Sequence, residues 1–510
     1  MTYYATCIVA VLSLVGSAIA GSPADAVRAA TADLVRVPPD ARPHVRYFSA
    51  YHADAEQRKE FAAVLSFWCN SLSREPDIVR PVECGPGLWR VDIRDYGWSR
   101  ATWEKLATED PYFHVLGERA VEALAEFEEV KVTERLFHPG GRFKFPNGKI
   151  EDTDTKEGWY TTTYTKRVQK AAVVPGKKTD IPQPALWLPA KEYGALAVAL
   201  GSNLPIVRAD WWIYQTAMQK DRVAGYYDWL GLGKAEKDFQ ELIGADVKLA
   251  QKVRKEIAAT VARSGVTLNN RSMERFATLT GAYWRTHDYK SSTFKQNTLR
   301  LLDGDTEPPR GDASEQYGSL PNELFAFWLQ DAKGERQDAA PDFIASDGHA
   351  TSTDRRVHIG VSCVRCHSPG IQPIGDWMRS VYRGPVQLAS PDYEKLRRLR
   401  QLYLSDLDGH IRGDQQRYAA ALLKCNGLTS QANAATFSRV WERYADTDLD
   451  AAAMAAEIGC TEADLVKSLK AQTKIDPVLA GLLATPPVGV RREHWHETYS
   501  IMYSYMGGIK

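Results

Sequence analysis

The chain has 510 residues, 44% of them hydrophobic and 10% aromatic, and its 64 Lys and Arg are balanced by 64 Asp and Glu. That length exceeds the size at which a single core stops growing, so at least two domains are expected, and the apolar content excludes a disordered chain. The balanced charge leaves electrostatic attraction to nucleic acid or to an anionic membrane without support.

Residues 1–20, MTYYATCIVAVLSLVGSAIA, contain no charged side chain, and the apolar run from Cys7 to Ala20 ends in Ala18-Ile19-Ala20. This is the pattern of a secretory signal cleaved before Gly21, with only the amino terminus supplying positive charge. The run is shorter than the roughly 20 apolar residues of a membrane span, and no later stretch approaches that length. A periplasmic or secreted protein with no transmembrane segment after signal removal is expected. Cys7 does not end a lipobox, so no lipid anchor is expected.

Residues 21–137 read as an α+β region. HVRYFSAYH is strand-like, and the following segment carries Phe61, Val64, Leu65 and Trp68 at helical spacing with Asp54 available as a cap. IVRPVECG and LWRVDIRDYG alternate and are joined by Gly-Pro-Gly, which predicts a hairpin, and GERAVEALAEFEEV predicts a helix. Residues 138–189, rich in Gly, Pro, Thr and Lys, read as an irregular excursion or linker. A helical region is expected over 190–302, with helices at 190–200, 208–218, 234–263 and 271–284. Turn residues cluster just after Leu302. The remainder, 303–510, is expected to be a mainly helical domain with helices at 391–406, 412–425, 431–444, 450–458 and 462–470. The expected fold is therefore mainly α with a smaller α+β N-terminal region.

Within 303–510 lies VSCVRCHSPG, which places Cys363 and Cys366 three apart with His367 directly after. Cys-x-x-Cys-His is the spacing for covalent attachment of a c-type haem. On one helical turn the two thiols lie on the same side and reach two neighbouring vinyl groups, while the imidazole ligates the iron. With seven Cys and eleven His in the chain, chance gives about 0.002 copies of the pattern, so coincidence is a poor explanation. The competing readings are half of a zinc site, which lacks a second Cys pair, and a redox dithiol. The expected cofactor is thus one haem c, held by Cys363, Cys366 and His367. The other cysteines of the mature chain permit pairing of Cys69 with Cys84 and of Cys425 with Cys460 in an oxidising compartment, with buried free thiols the equal alternative.

The surroundings extend this reading. EQYGSLPNELFAFWLQDAKGERQDAAPDFI followed by VHIGVSCVRCHSPGI resembles large, secreted, single-haem bacterial proteins with a cytochrome-c-like domain, abundant in planctomycete-type genomes. RYFSAYH, LWRVDIRDYGW, LPIVRADWWIYQ, YYDWLGL and GAYWRTHDY are similar as well, so the likeness covers most of the mature chain. It implies a cofactor, an exported location, a cytochrome-c-like helical haem domain in the C-terminal half and dependence on a c-type maturation system, but no reaction. Only Cys363, Cys366 and His367 carry over.

The leading functional expectation is one-electron transfer to or from a redox partner protein. An open iron site would instead permit peroxidase-like catalysis, and a haem-based sensor of the cell envelope is the third reading. The sixth ligand distinguishes them. Met378, His410, Met454, Met502, Met506, His349 and His358 are the candidates, and none has compelling spacing. His494-Trp495-His496 reads as two imidazoles on one strand face, too few for a metal site. Asp210 in RADWW is either a buried acid or an ordinary helix start. Asp446 to Glu457 mimics a calcium loop but has Ala451 where the turn needs Gly.

Overall fold

The computed structural model describes residues 21–112, 127–138, 142–144, 150–152, 156, 158–169, 190–253, 255–261, 269–289, 311–340, 346–348, 350, 354–367, 370–372, 374–376, 378–379, 393–403, 406–472 and 475–506. The expected secretory signal lies outside them.

Capping residues start the N-terminal elements. Helix α1 (Pro23–Leu34) begins at Ser22, whose hydroxyl accepts the Asp25 N–H while the Asp25 carboxylate accepts the Ser22 N–H. Strand β1 (Val45–Ser49) is buried throughout, and α2 (Ala55–Ser71) starts at Asp54, which accepts the Gln57 N–H at 2.8 Å. Strands β2 (Val82–Gly85) and β3 (Leu88–Asp92) form the expected hairpin, and α3 (Arg100–Lys105) follows.

Strand β4 (Phe127–His138) pairs along its whole length with β7 (Gly158–Gln169), and β5 (Arg142–Lys144) pairs with β6 (Ile150–Asp152). This corrects two expectations. The helix drawn through Val130 gives way to strand from Phe127, and much of the excursion from 138 is a β-ribbon. The Thr and Tyr alternation of Gly158–Gln169 favours a pleated strand, and its propensity outweighs the surrounding turn residues. Residues 113–126 and 170–189 lie outside the described residues.

Next come α4 (Ala190–Leu200), β8 (Ile206–Arg208), α5 (Ala209–Thr216), α6 (Tyr226–Trp229), α7 (Glu236–Leu242) and α8 (Val247–Lys252). The single helix expected over 234–263 is broken at Gly244, with φ of +66°, and ends in strand β9 (Ile257–Val261). The helix expected over 271–284 is two strands, β10 (Arg271–Ala277) and β11 (Ala282–Asp288). Five successive residues of β10 are buried, so its two faces are both covered and the period-2 signal is erased. Strands β12 (Ala313–Ser319) and β13 (Phe325–Asp331) complete an antiparallel sheet in the order β13-β12-β11-β10-β9.

The later elements are α9 (Val361–Cys366), α10 (Tyr393–Tyr403), α11 (Leu407–Asn426), α12 (Ser430–Trp441), α13 (Ala451–Ile458), α14 (Glu462–Lys470), α15 (Pro477–Ala480) and α16 (Arg492–Met506). The five helices expected between 391 and 470 are present. His494 and His496 lie on α16 rather than on a strand, and His410 lies within α11 rather than in a turn. The architecture is a mixture of helices and small sheets, of mixed α and α+β class. No helix among the described residues is long and apolar enough to cross a membrane.

One core cluster runs from α1 to α16 and includes Cys363. Several of its tryptophans satisfy their indole N–H groups within the core, Trp212 being an exception. Trp68 donates to Thr216 Oγ1 at 2.8 Å, Trp98 to the Leu72 carbonyl at 2.9 Å and Trp103 to the Leu204 carbonyl at 2.7 Å. The first sheet, in the order β2-β3-β1-β8, is tied to the C-terminal helices by a buried charge network. Arg208 on β8 bonds Asp210 and Glu457 of α13, and Arg492 of α16 bonds Glu457 at 2.7 Å. Asp210 is thus a buried acid as well as part of a helix start. Burial opposes its charge, but Arg208 and His52 hold its carboxyl well below the usual range.

Candidate functional site

Helix α9 lies between α5, α12 and the sheet, and its start is fixed by a close backbone approach. Gly360 has φ of +85°, and a Cβ there would sit 2.6 Å from the Ala217 carbonyl oxygen, so glycine is required. The same carbonyl accepts the Val361 N–H at 2.8 Å. Ser362 Oγ accepts the His358 N–H at 3.0 Å, which holds the incoming chain. At the other end His367 caps the helix, its N–H donating to the Cys363 carbonyl at 2.8 Å.

Cys363 and Cys366 therefore occupy one helical turn. Both are free thiols. Burial pushes the Cys363 thiol well above its ordinary value, and nearby Glu315 adds to the effect. Burial, with Glu315 and Asp347 behind it, pushes Cys366 up to about 12. A redox dithiol works through a thiolate stabilised near neutral pH, and these environments do the opposite.

The His367 ring is buried against Tyr317 of β12, with centroids 4.9 Å apart, and Phe327 of β13, at 5.5 Å. Its Nδ1 is 3.2 Å from the Gly370 carbonyl oxygen. A carbonyl can only accept, so Nδ1 carries a proton, and Nε2 is the ring nitrogen that a metal would take. Gly370, with φ of +94°, makes that return of the chain possible. Nε2 is directed toward Glu315, whose Oε1 is 3.5 Å away. Burial raises the Glu315 carboxyl, yet His367 and Arg271 outweigh it and bring the group down to about 2.

The structure thus brings all three expected site residues together, and their chemistry fits a covalently attached haem. Two unpaired thiols one turn apart suit two thioethers, and the imidazole is oriented through Nδ1 with Nε2 as donor. No group of three or more His, Cys, Asp or Glu side chains among the described residues is arranged to hold a metal ion on its own.

The candidate sixth ligands are distributed elsewhere. Met378 packs with Ala258, Leu399, Leu402 and Tyr403, in a cluster separate from the core that contains Cys363. Met454 and Met502 are buried in the main core, with Met506 packed against it. His358 pairs with Asp354 at 2.9 Å, His410 is solvent-exposed, and His349 lies outside the described residues. The suggested disulfides are also absent: Cys69, Cys84, Cys425 and Cys460 are free, and buried Cys69 has Cys425 rather than Cys84 as its electrostatic neighbour.

Sequence reasoning missed Glu315, Tyr317 and Arg271. The first two stand two apart on β12 and so project from the same face, a period-2 signal concealed beside the turn-rich stretch. Arg271 was placed on an expected helix that is strand β10. Searches with this chain found no matching family model, curated protein or solved structure.

Proposed function

We propose that this is an exported c-type cytochrome with one haem, bonded through thioethers to Cys363 and Cys366 and ligated by His367. The segment around α9 is then a cytochrome-c-like helical haem domain, loaded by a c-type maturation system. In this reading the protein passes single electrons to or from a redox partner protein. The observation that carries it is the placement of both thiols and an Nδ1-anchored imidazole on one buried turn.

A bound haem supplies a reversible one-electron couple at its iron. The chain's own residues determine the rest. Cys363 and Cys366 fix the group's position without a fully enclosing pocket. The Gly370 carbonyl holds the imidazole plane and keeps the Nδ1 proton in place, which increases donation from Nε2. Tyr317 and Phe327 pack at a tilt against the imidazole and would lower the local dielectric where the charge changes on electron transfer.

The test is expression of the full chain with a c-type maturation system, followed by haem-stained denaturing electrophoresis and a pyridine haemochrome spectrum. Haem that survives denaturation, and is lost from a Cys363→Ala, Cys366→Ala variant, is the expected result. A colourless wild-type product with the mass of the bare mature chain would refute it.

A further inference from the structure

Among the cysteines outside the haem motif, the packing of two helices singles out a pair. We propose that in the exported chain Cys69 of α2 and Cys425 of α11 are joined by a disulfide that fastens these helices together. This assignment rests on the export reading above and is independent of the haem.

The way the helices lie is the first observation. Ser66 Oγ donates to the Cys425 carbonyl at 2.5 Å, and Asn426 Nδ2 donates to the Ala63 carbonyl at 3.1 Å. Positions rising along α2 thus meet positions falling along α11, so the helices run antiparallel, with Cys69 one turn beyond Ser66. In a helix the Cα–Cβ bond tilts toward the N-terminus. The Cys69 side chain therefore leans back toward the level of Ser66, and that of Cys425 leans toward the level of Cys69. Packed helices about 8–10 Å apart, with Cα atoms about 2.3 Å from each axis, bring facing Cα atoms within about 6 Å, the separation a disulfide spans.

The second observation is the placing of the other thiols. Cys69 and Cys425 are both fully buried in the main core. Cys84 is half-buried on β2, its Sγ donating to the Val82 carbonyl at 3.2 Å, and half-buried Cys460 follows the Gly459 terminator of α13. Neither stands on α2 or α11.

Helix α11 also has a structural task that a covalent tie would serve. Its Asp414 accepts from Arg275 of β10 at 2.7 and 2.9 Å, and its Gln415 Nε2 donates to the Ile371 carbonyl at 2.7 Å. It thereby holds both the second sheet and the chain just past His367, and the disulfide would fix that support to the N-terminal layer.

The structure holds both residues as thiols. The bond forms by exchange with the disulfide of a thiol oxidoreductase in the export compartment. One thiolate attacks the donor disulfide and the other displaces the donor sulfur. Two protons and two electrons leave the chain, and the donor departs as a dithiol. Because both thiols are buried after folding, exchange precedes closure of the core.

In the experiment the full-length chain is exported into a thiol-oxidising compartment, denatured in urea without reductant, treated with N-ethylmaleimide and mapped by mass spectrometry. Expected are unlabelled Cys69 and Cys425 on two peptides that travel as one species, two hydrogens lighter than their sum, and that separate on reduction. In Cys69→Ala the Cys425 thiol becomes labelled. A chain that starts at Gly21 and carries label on both cysteines, or in which either is joined to another cysteine, overturns the disulfide and leaves export intact. A chain that keeps residues 1–20 overturns export instead. The pairing is then decided by refolding the reduced Cys363→Ala, Cys366→Ala variant in a glutathione redox buffer: a Cys69–Cys425 linkage upholds it, and labelling of both overturns it.

Discussion

Replacing Glu457 by Ala tests whether the buried charge network holds the first sheet to the C-terminal helices. The carboxylate accepts from Arg208 at 2.7 and 3.0 Å, from Arg492 at 2.7 Å and from Trp495 Nε1 at 2.6 Å. After truncation Arg208 retains Asp210, whereas Arg492 retains the Tyr112 hydroxyl and the Tyr444 carbonyl, neither of them charged. Breaking a buried pair costs about 3–5 kcal/mol because a charge is left without its counter-ion. With one guanidinium partly compensated and an indole N–H orphaned, a loss of about 4 kcal/mol is expected. That is a large part of the roughly 5–15 kcal/mol that stabilises an ordinary domain. Urea unfolding near pH 7, followed by tryptophan fluorescence, measures it. The effect also has a defined pH sense. Although burial opposes ionisation, Arg208 and Arg492 hold the Glu457 carboxyl below its ordinary value of 4.5. A depressed folded pKa gives stability that is complete above the unfolded value and is withdrawn as pH falls through the folded one. The gap between wild type and variant should therefore narrow in acid. A loss below about 1 kcal/mol at neutral pH would refute the network as a tie between sheet and helices.

Three further substitutions test burial and backbone contacts, the last of them as a control. Burial pushes the Asp376 carboxyl up to about 6, although it accepts the Thr260 N–H at 3.1 Å. A raised folded pKa means that stability is lost as pH rises from about 4 to about 6, so Asp376→Asn should stabilise the protein by about 1 kcal/mol near pH 7.5 and by little below pH 4; equal gains at both pH values would contradict this. Gly360→Ala introduces a Cβ 2.6 Å from the Ala217 carbonyl oxygen at positive φ, whereas Gly427→Ala meets nothing within 4 Å. The expected losses are about 3 and about 1 kcal/mol respectively, and equal losses in urea melts would show that the contact with Ala217 does not matter.

The four helices between 407 and 470 were legible because each carries its own local signals: an Asp or Thr cap, an apolar stripe and, at Gly427 and Gly459, a left-handed terminator. The sheet from β9 to β13 was not. Its strands are covered on both faces, so residues such as Met273 and Phe276 recur at a spacing that also suits a helix. This difference governs the candidate site as well. The Cys-x-x-Cys-His run is contiguous and can be read from sequence, but the groups around it come from β10, β12 and β13, and no local pattern relates Arg271 or Glu315 to His367. The strands contribute what the motif lacks: aromatic packing for the imidazole and a carboxylate 3.5 Å from its Nε2. Strand pairing, not nearness in sequence, brings Glu315 to the motif, and for that reason neither the downstream candidates nor His349 and His358 upstream pointed to it.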